Sequence, residues 1–185
     1  MTVFPRIVLI AVAVSLLQIA FIGWMVAGRA AVLRDGTDVT LSVEPIDPRD
    51  LLRGDYVVLA YPISVIEGDL APDGAKAGDT IYVRVSAGDN GAFLPIATSL
   101  DTPPQVALNE GEVDIRGIVR SAADRRVQSV FGIERFYVPE GEGRGIEENM
   151  RQDSFEVVIA VGSDGTPQIR ALLHDGQPIY SEPVF

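Results

Sequence analysis

Between positions 47 and 55 the chain places Asp47, Arg49, Asp50, Arg53 and Asp55, five charges of both signs in nine residues. A second run, with Glu134, Arg135, Tyr137, Glu140, Glu142 and Arg144, again mixes carboxylates, guanidinium groups and an aromatic ring. Two carboxylates whose surroundings drive their pKa values apart can act as acid and base, so a carboxylate-based enzyme where the runs meet is one reading. The other is structural: opposite charges pair among themselves and fix the entrance of a central strand. Local pattern favours the second. Asp47 can cap a turn that begins with Pro48, and Gly54 permits the reversal into an apolar strand. Pairing of Arg135 or Arg144 with the first run would unite the two runs in one place.

Other chemistries find fewer of the residues they need. Gly141 and Gly143 would let backbone amides bend around a small ligand, yet Glu140 and Glu142 repel an anion there. Glu140, Glu142, Glu147 and Glu148 could gather a hard cation such as Ca²⁺, but their spacing fits no loop of defined ligand order. Neither a metal nor a cofactor is expected. Cysteine is absent, which removes disulfides, thiolate metal sites and cysteine nucleophiles. His174, the only histidine, precedes Asp175-Gly176 and is expected to be an exposed turn residue. The only lysine, Lys76, lies in a Gly/Ala/Asp loop and is expected to be solvated. No catalytic residue is assigned.

The elements that must position these residues begin with a greasy amino end. Residues 7–27 run without a charge, and 21 residues at 1.5 Å rise reach about 30 Å, the hydrocarbon thickness of a bilayer. The segment reads as a transmembrane helix in contact with membrane lipid. Gln18 within it is the candidate contact to a partner helix, because an amide in hydrocarbon seeks a polar neighbour. Trp24 stands where an indole favours the interface. Gly28 and Ala30 offer small residues at signal-peptidase spacing, but an apolar run this long exceeds a signal-peptide core, so a retained signal anchor is favoured. The basic residues flanking the run nearly balance. The signal-anchor layout then places the amino end in the cytoplasm and the body outside it.

The division that follows is residues 1–34 for tail, anchor and short neck, and residues 35–185 for one extracytoplasmic domain. The chain of 185 residues has 15 basic and 26 acidic side chains, a formal net charge of -11. All the acids lie at or after Asp35. Phosphate backbones would repel so acidic a body, so nucleic acid is excluded as a partner, and anionic lipid is held off except at the neck.

Period-two alternation predicts strands over residues 37–44, 80–86 and 111–120. Residues 55–64 are denser in β-branched and aromatic side chains and predict one strand covered on both faces until Pro62. A strand or extended arm is expected over 133–138. Residues 155–161 and 167–173 flank a Gly-Ser-Asp-Gly turn, and Asp175-Gly176 leads into a last strand. Residues 101–109 read as a crossing loop. Helix after the anchor is confined to a turn at 48–52 and a short piece at 146–151. The fold class is therefore mainly β: one N-terminal transmembrane helix, then one compact antiparallel β domain with little helix.

Two stretches carry a family resemblance. Gly54-Asp55-Tyr56-Val57-Val58-Leu59-Ala60-Tyr61 resembles the motif of the GDYXXLXY family of membrane-anchored bacterial proteins at every specified position. Residues 131–144, FGIERFYVPEGEGR, are similar to that family's second hallmark, with Phe131 where a tyrosine is expected. The resemblance implies an N-terminal anchor, one extracytoplasmic β domain and association with polytopic membrane proteins. It carries no activity. The functional expectation is a membrane-anchored binding or assembly module for another integral membrane protein, with Tyr56 and Tyr61 beside the charged runs as candidate contact residues. The alternative is a membrane-bound hydrolase distantly related in fold to type I signal peptidases, to whose Gly-Asp boxes Gly54-Asp55 and Gly78-Asp79 are faintly similar. That alternative lacks a serine ahead of Gly54 and a buried lysine base.

Overall fold

The computed structural model describes residues 3–43, 56–88, 91–137 and 154–181. Helix α1, Val3–Asp35, opens the chain. Its Leu, Ala, Ile and Val side chains lie exposed from Ile7 to Val26, and the stretch Arg6–Asp35 is long and apolar enough to cross a membrane. The helix runs directly into the body. Leu33 is buried against the first sheet, and Gly36 is the single residue between the helix and strand β1, Thr37–Ser42. A Cβ at Gly36 would stand 2.5 Å from the Val32 carbonyl oxygen and 3.0 Å from that of Val161, so only glycine fits. Arg170 fastens the joint, donating to the Leu33 carbonyl and pairing with Asp38 at 2.8 Å.

Ten further strands are described: β2 Tyr56–Val58, β3 Val65–Glu67, β4 Thr80–Ala87, β5 Phe93–Leu100, β6 Glu112–Ala123, β7 Arg126–Val130, β8 Arg135–Tyr137, β9 Phe155–Val161, β10 Pro167–His174 and β11 Gln177–Ser181. They form a four-stranded sheet in the order β1-β9-β10-β11, a five-stranded sheet in the order β3-β7-β6-β4-β5 and the two-stranded ladder β2-β8. Every pairing is antiparallel. The protein is mainly β, as its alternation predicts.

Alternation fixes which faces meet. Val39 and Leu41 of β1 and Val157 and Ile159 of β9 face inward, as do Ile81, Val83 and Val85 of β4 and Ile115 and Val119 of β6. These side chains belong to one apolar cluster that joins the two large sheets. Loops follow local chemistry: Asp175 and Gly176 take positive φ in the β10–β11 turn, as Asp-Gly hairpins require. Residues 101–109 leave β5 and reach β6, and because β4 lies between those strands the connection passes over β4.

One expectation is corrected. Within the stretch 55–64, the described residues 56–64 do not form a single central strand covered on both faces. Only Tyr56–Val58 are strand, Val58 is 41% exposed, and Pro62–Ser64 make a 3₁₀ turn. Leu59, Tyr61 and Ile63 are buried without belonging to a ladder. Their apolar density reflects burial of side chains, whereas Pro62 lacks the N–H that a continuing ladder would use. His174 likewise differs from an exposed turn residue: it ends β10 and stacks on Phe155, with ring centroids 4.6 Å apart. The turn at 48–52 and the helix at 146–151 lie outside the described residues.

Candidate functional site

The two hallmark stretches meet. In the β2-β8 ladder Tyr56 opposes Tyr137, Val57 opposes Phe136 and Val58 opposes Arg135. One step on, the Leu59 amide donates to the Glu134 carbonyl at 2.9 Å. Three residues make such a ladder too short to hold by itself. It is held by burial beneath it: Leu59, Tyr61, Ile133 and Phe136 are all buried in the common core. Phe136 also meets Tyr180 of β11 edge-to-face, with centroids 4.9 Å apart.

Two polar side chains on this seam, Tyr61 and Glu134, are committed to backbone. The Tyr61 hydroxyl donates to the Ile133 carbonyl at 2.7 Å, across 72 residues of sequence. Burial pushes that phenol well above its ordinary pKa, and the nearby Glu134 carboxylate adds to the effect, so Tyr61 is neutral at physiological pH. The Glu134 carboxylate accepts the amides of Phe131 and Gly132, the latter at 2.9 Å, closing the turn ahead of β8. Gly132 has φ +81°, which suits glycine there. Behind the turn, Phe131 lies where a side chain on Gly117 of β6 would stand, 2.6 Å from an ideal Cβ. Tyr61 and Glu134 therefore shape the seam: the Tyr61 hydroxyl ties the two hallmarks together, and the Glu134 carboxylate closes the turn within the second.

Among the other anticipated site residues, Tyr56 and Tyr137 are placed by backbone as ladder partners. Arg135 is exposed on β8. Gln18 is exposed on α1 among apolar neighbours. Asp47, Arg49, Asp50, Arg53, Asp55, Glu140, Glu142 and Arg144 lie outside the described residues. Lys76 is exposed in a turn, its amide bonded to Asp79 at 2.8 Å. Among the described residues no group of three or more His, Asp or Glu is placed to hold a metal ion.

A second polar centre lies on the five-stranded sheet. Arg84 of β4 is 4% exposed and directly opposes Asp114 of β6. Its Nε and Nη2 donate to the two Asp114 oxygens at 2.7 and 2.9 Å. The guanidinium also donates to the Val106 carbonyl at 2.8 Å and the Pro104 carbonyl at 3.3 Å, clamping the crossing loop onto β4. The Asp114 bond pushes the Arg84 pKa up despite burial. At the end of the loop Glu112 accepts the Asn109 side chain at 2.7 Å and its amide at 3.0 Å, and these bonds hold the carboxyl below its usual range. The sequence signal for this centre is one charge of each sign in the middle of two alternating strands. A charge on an alternating strand ordinarily faces water, and only the distant loop makes it a buried one.

A family model described as GDYXXLXY protein matches residues 18–172. No curated protein and no solved structure matches the chain.

Proposed function

The chain belongs to the GDYXXLXY protein family, and from that premise we propose that it is a membrane-anchored binding or assembly module that partners a polytopic membrane protein. In this reading α1 lies in a bacterial cytoplasmic membrane with the β body on the extracytoplasmic side. The observation that carries it is the seam: the two most distinctive stretches pair with each other, and the Tyr61 hydroxyl and Glu134 carboxylate are engaged by backbone groups. Groups so engaged maintain a surface. A catalytic acid or base needs its proton site open to a substrate. The exposed apolar flank of α1, interrupted by Gln18, supports a partner in the same membrane.

Affinity purification of the full-length chain from gently solubilised membranes tests this. A stoichiometric integral membrane partner is expected, and Gln18→Leu and Arg53→Ala should each reduce its recovery several-fold without changing unfolding of the chain. Absence of any stoichiometric partner overturns the proposal. Sidedness is read by placing one cysteine at exposed Asp73 in this cysteine-free chain. A membrane-impermeant maleimide should label it in intact spheroplasts; protection there would reverse the orientation.

A further inference from the structure

Within residues 7–27 the only hydroxyl or amide side chains are Ser15 and Gln18. At about 100° of turn per residue, Met25 and Arg29 lie about 20° around α1 from Gln18, and Ser15 about 60°. Higher on the helix, Val32 and Leu33 meet the body. Leu33 is buried against the first sheet, and Val32 Cγ2 stands 3.1 Å from where a Cβ on Gly162 would lie. Those two bracket the direction of Gln18, about 40° to one side and about 60° to the other. The body therefore overhangs the face of the span that carries its polar groups.

Beneath the overhang a cleft of about 1050 Å³ follows α1 from Trp24 to Leu33, with Arg116 of β6 and the β9–β10 turn as its far wall. Its lining is mainly apolar, and Arg116 is paired with Asp164 at 3.3 Å. Gly28 also lines it, with nothing within 4 Å of an ideal Cβ. We propose that this cleft seats the end of a partner protein's transmembrane helix, which packs along the Gln18 face of α1 and turns back beneath the body. The proposal names the contact surface for the polytopic partner and rests on that reading of the protein.

Chemistry, size and length select this occupant. The Gln18 amide, exposed in hydrocarbon, gains hydrogen bonds from another polar group at its own depth, and a segment that brings one alongside α1 is itself a helix. The apolar lining suits a helix end leaving hydrocarbon, and the bare backbone at Gly28 lets it approach α1 closely. A helix about 10 Å across fills roughly 120 Å³ per residue, so 1050 Å³ takes about nine residues. That matches the length of α1 along the cleft, about two and a half turns from Trp24 to Leu33. A parallel second copy of this chain does not fit, because its α1 continues unbroken to Asp35 and from there into its own body. The partner helix must instead end within about two turns of the hydrocarbon edge, as helices joined by short loops do.

Site-specific photocrosslinking tests the face and the end together. p-Benzoylphenylalanine is incorporated into the full-length chain in place of Ile22 or Met25, on the cleft side, or of Leu16 or Ala27, on the opposite side of α1. Photolysis in native membranes should give a protein adduct from Ile22 and Met25 about tenfold stronger than from Leu16 and Ala27. The crosslinked peptide should map to the end of a transmembrane segment in a protein with several such segments. Gly28→Leu fills open space in the cleft, so denaturant unfolding of the full chain should be unchanged while the adduct from Ile22 is lost. Equal adducts from all four positions, an adduct to a second copy of this chain, or an Ile22 adduct that survives Gly28→Leu overturns the cleft as the seat. Absence of a protein adduct from every position instead overturns the partner reading on which it depends.

Discussion

The hallmark seam and the Arg84 centre use the same device with opposite electrostatics. In each, a buried side chain reaches a backbone carbonyl on a distant segment: Tyr61 to Ile133, and Arg84 to Pro104 and Val106. The seam uses a neutral hydroxyl in an apolar core, where loss of the group removes one modest hydrogen bond. The other centre buries a charge, and its stability depends on every partner being present. The difference teaches that a distinctive sequence motif and the most demanding interaction of a fold need not coincide. The family hallmarks mark the seam, whereas the buried ion pair lies in an ordinary-looking strand.

The sharpest way to break the comparison is to remove one partner of the charged centre. Asp114→Ala leaves Arg84 buried beneath the crossing loop and should destabilise the full-length chain by roughly 3–5 kcal/mol. Equilibrium denaturation in a mild detergent measures it, and a loss under about 1 kcal/mol would show the pair to be hydrated and the contrast false. A substitution where the two regions touch should have a smaller effect. Gly117→Ala on β6 puts a methyl 2.6 Å from the Phe131 ring and 2.9 Å from the Val130 carbonyl oxygen. Overpacking of that kind costs about 1–3 kcal/mol. An unchanged midpoint would mean that Phe131 yields freely and the seam is loosely seated.

Tyr61→Phe should have the smallest effect, about 1 kcal/mol at neutral pH. It also sharpens the contrast through pH. The folded phenol keeps its proton to higher pH than an unfolded tyrosine, whose pKa is near 10. Its contribution is therefore complete below about pH 10 and is lost as pH rises toward the folded value. Wild type should lose stability along that alkaline limb, and Tyr61→Phe should flatten it. An identical alkaline slope in both proteins would place the titrating group elsewhere.

Much of the fold was legible where one face of a strand is dry and the other wet. Strands β1, β4, β6, β9 and β10 alternate, and their inward residues are those in the core. Strand β5 gives no such contrast, because Leu94 and Ile96 on its outer face are themselves apolar and exposed. The β6–β7 turn is equally silent: Asp124 and Arg125 take positive φ without a glycine to announce it. At the candidate site, the pairing of the hallmarks and the burial of Tyr61 and Glu134's turn depend on contacts across more than 70 residues, which no local pattern encodes. Arg84 was hidden for the same reason, since its cover comes from a loop that its own strand does not specify.

The joint at Gly36 has a mechanical consequence. With helix geometry reaching Asp35, strand geometry starting at Thr37 and Arg170 bracing both sides, no slack remains to absorb rotation. A twist or tilt of the shaft must therefore either strain these contacts or carry the head with it, as a key carries its bow. A partner gripping one end can thereby set the bearing of the other.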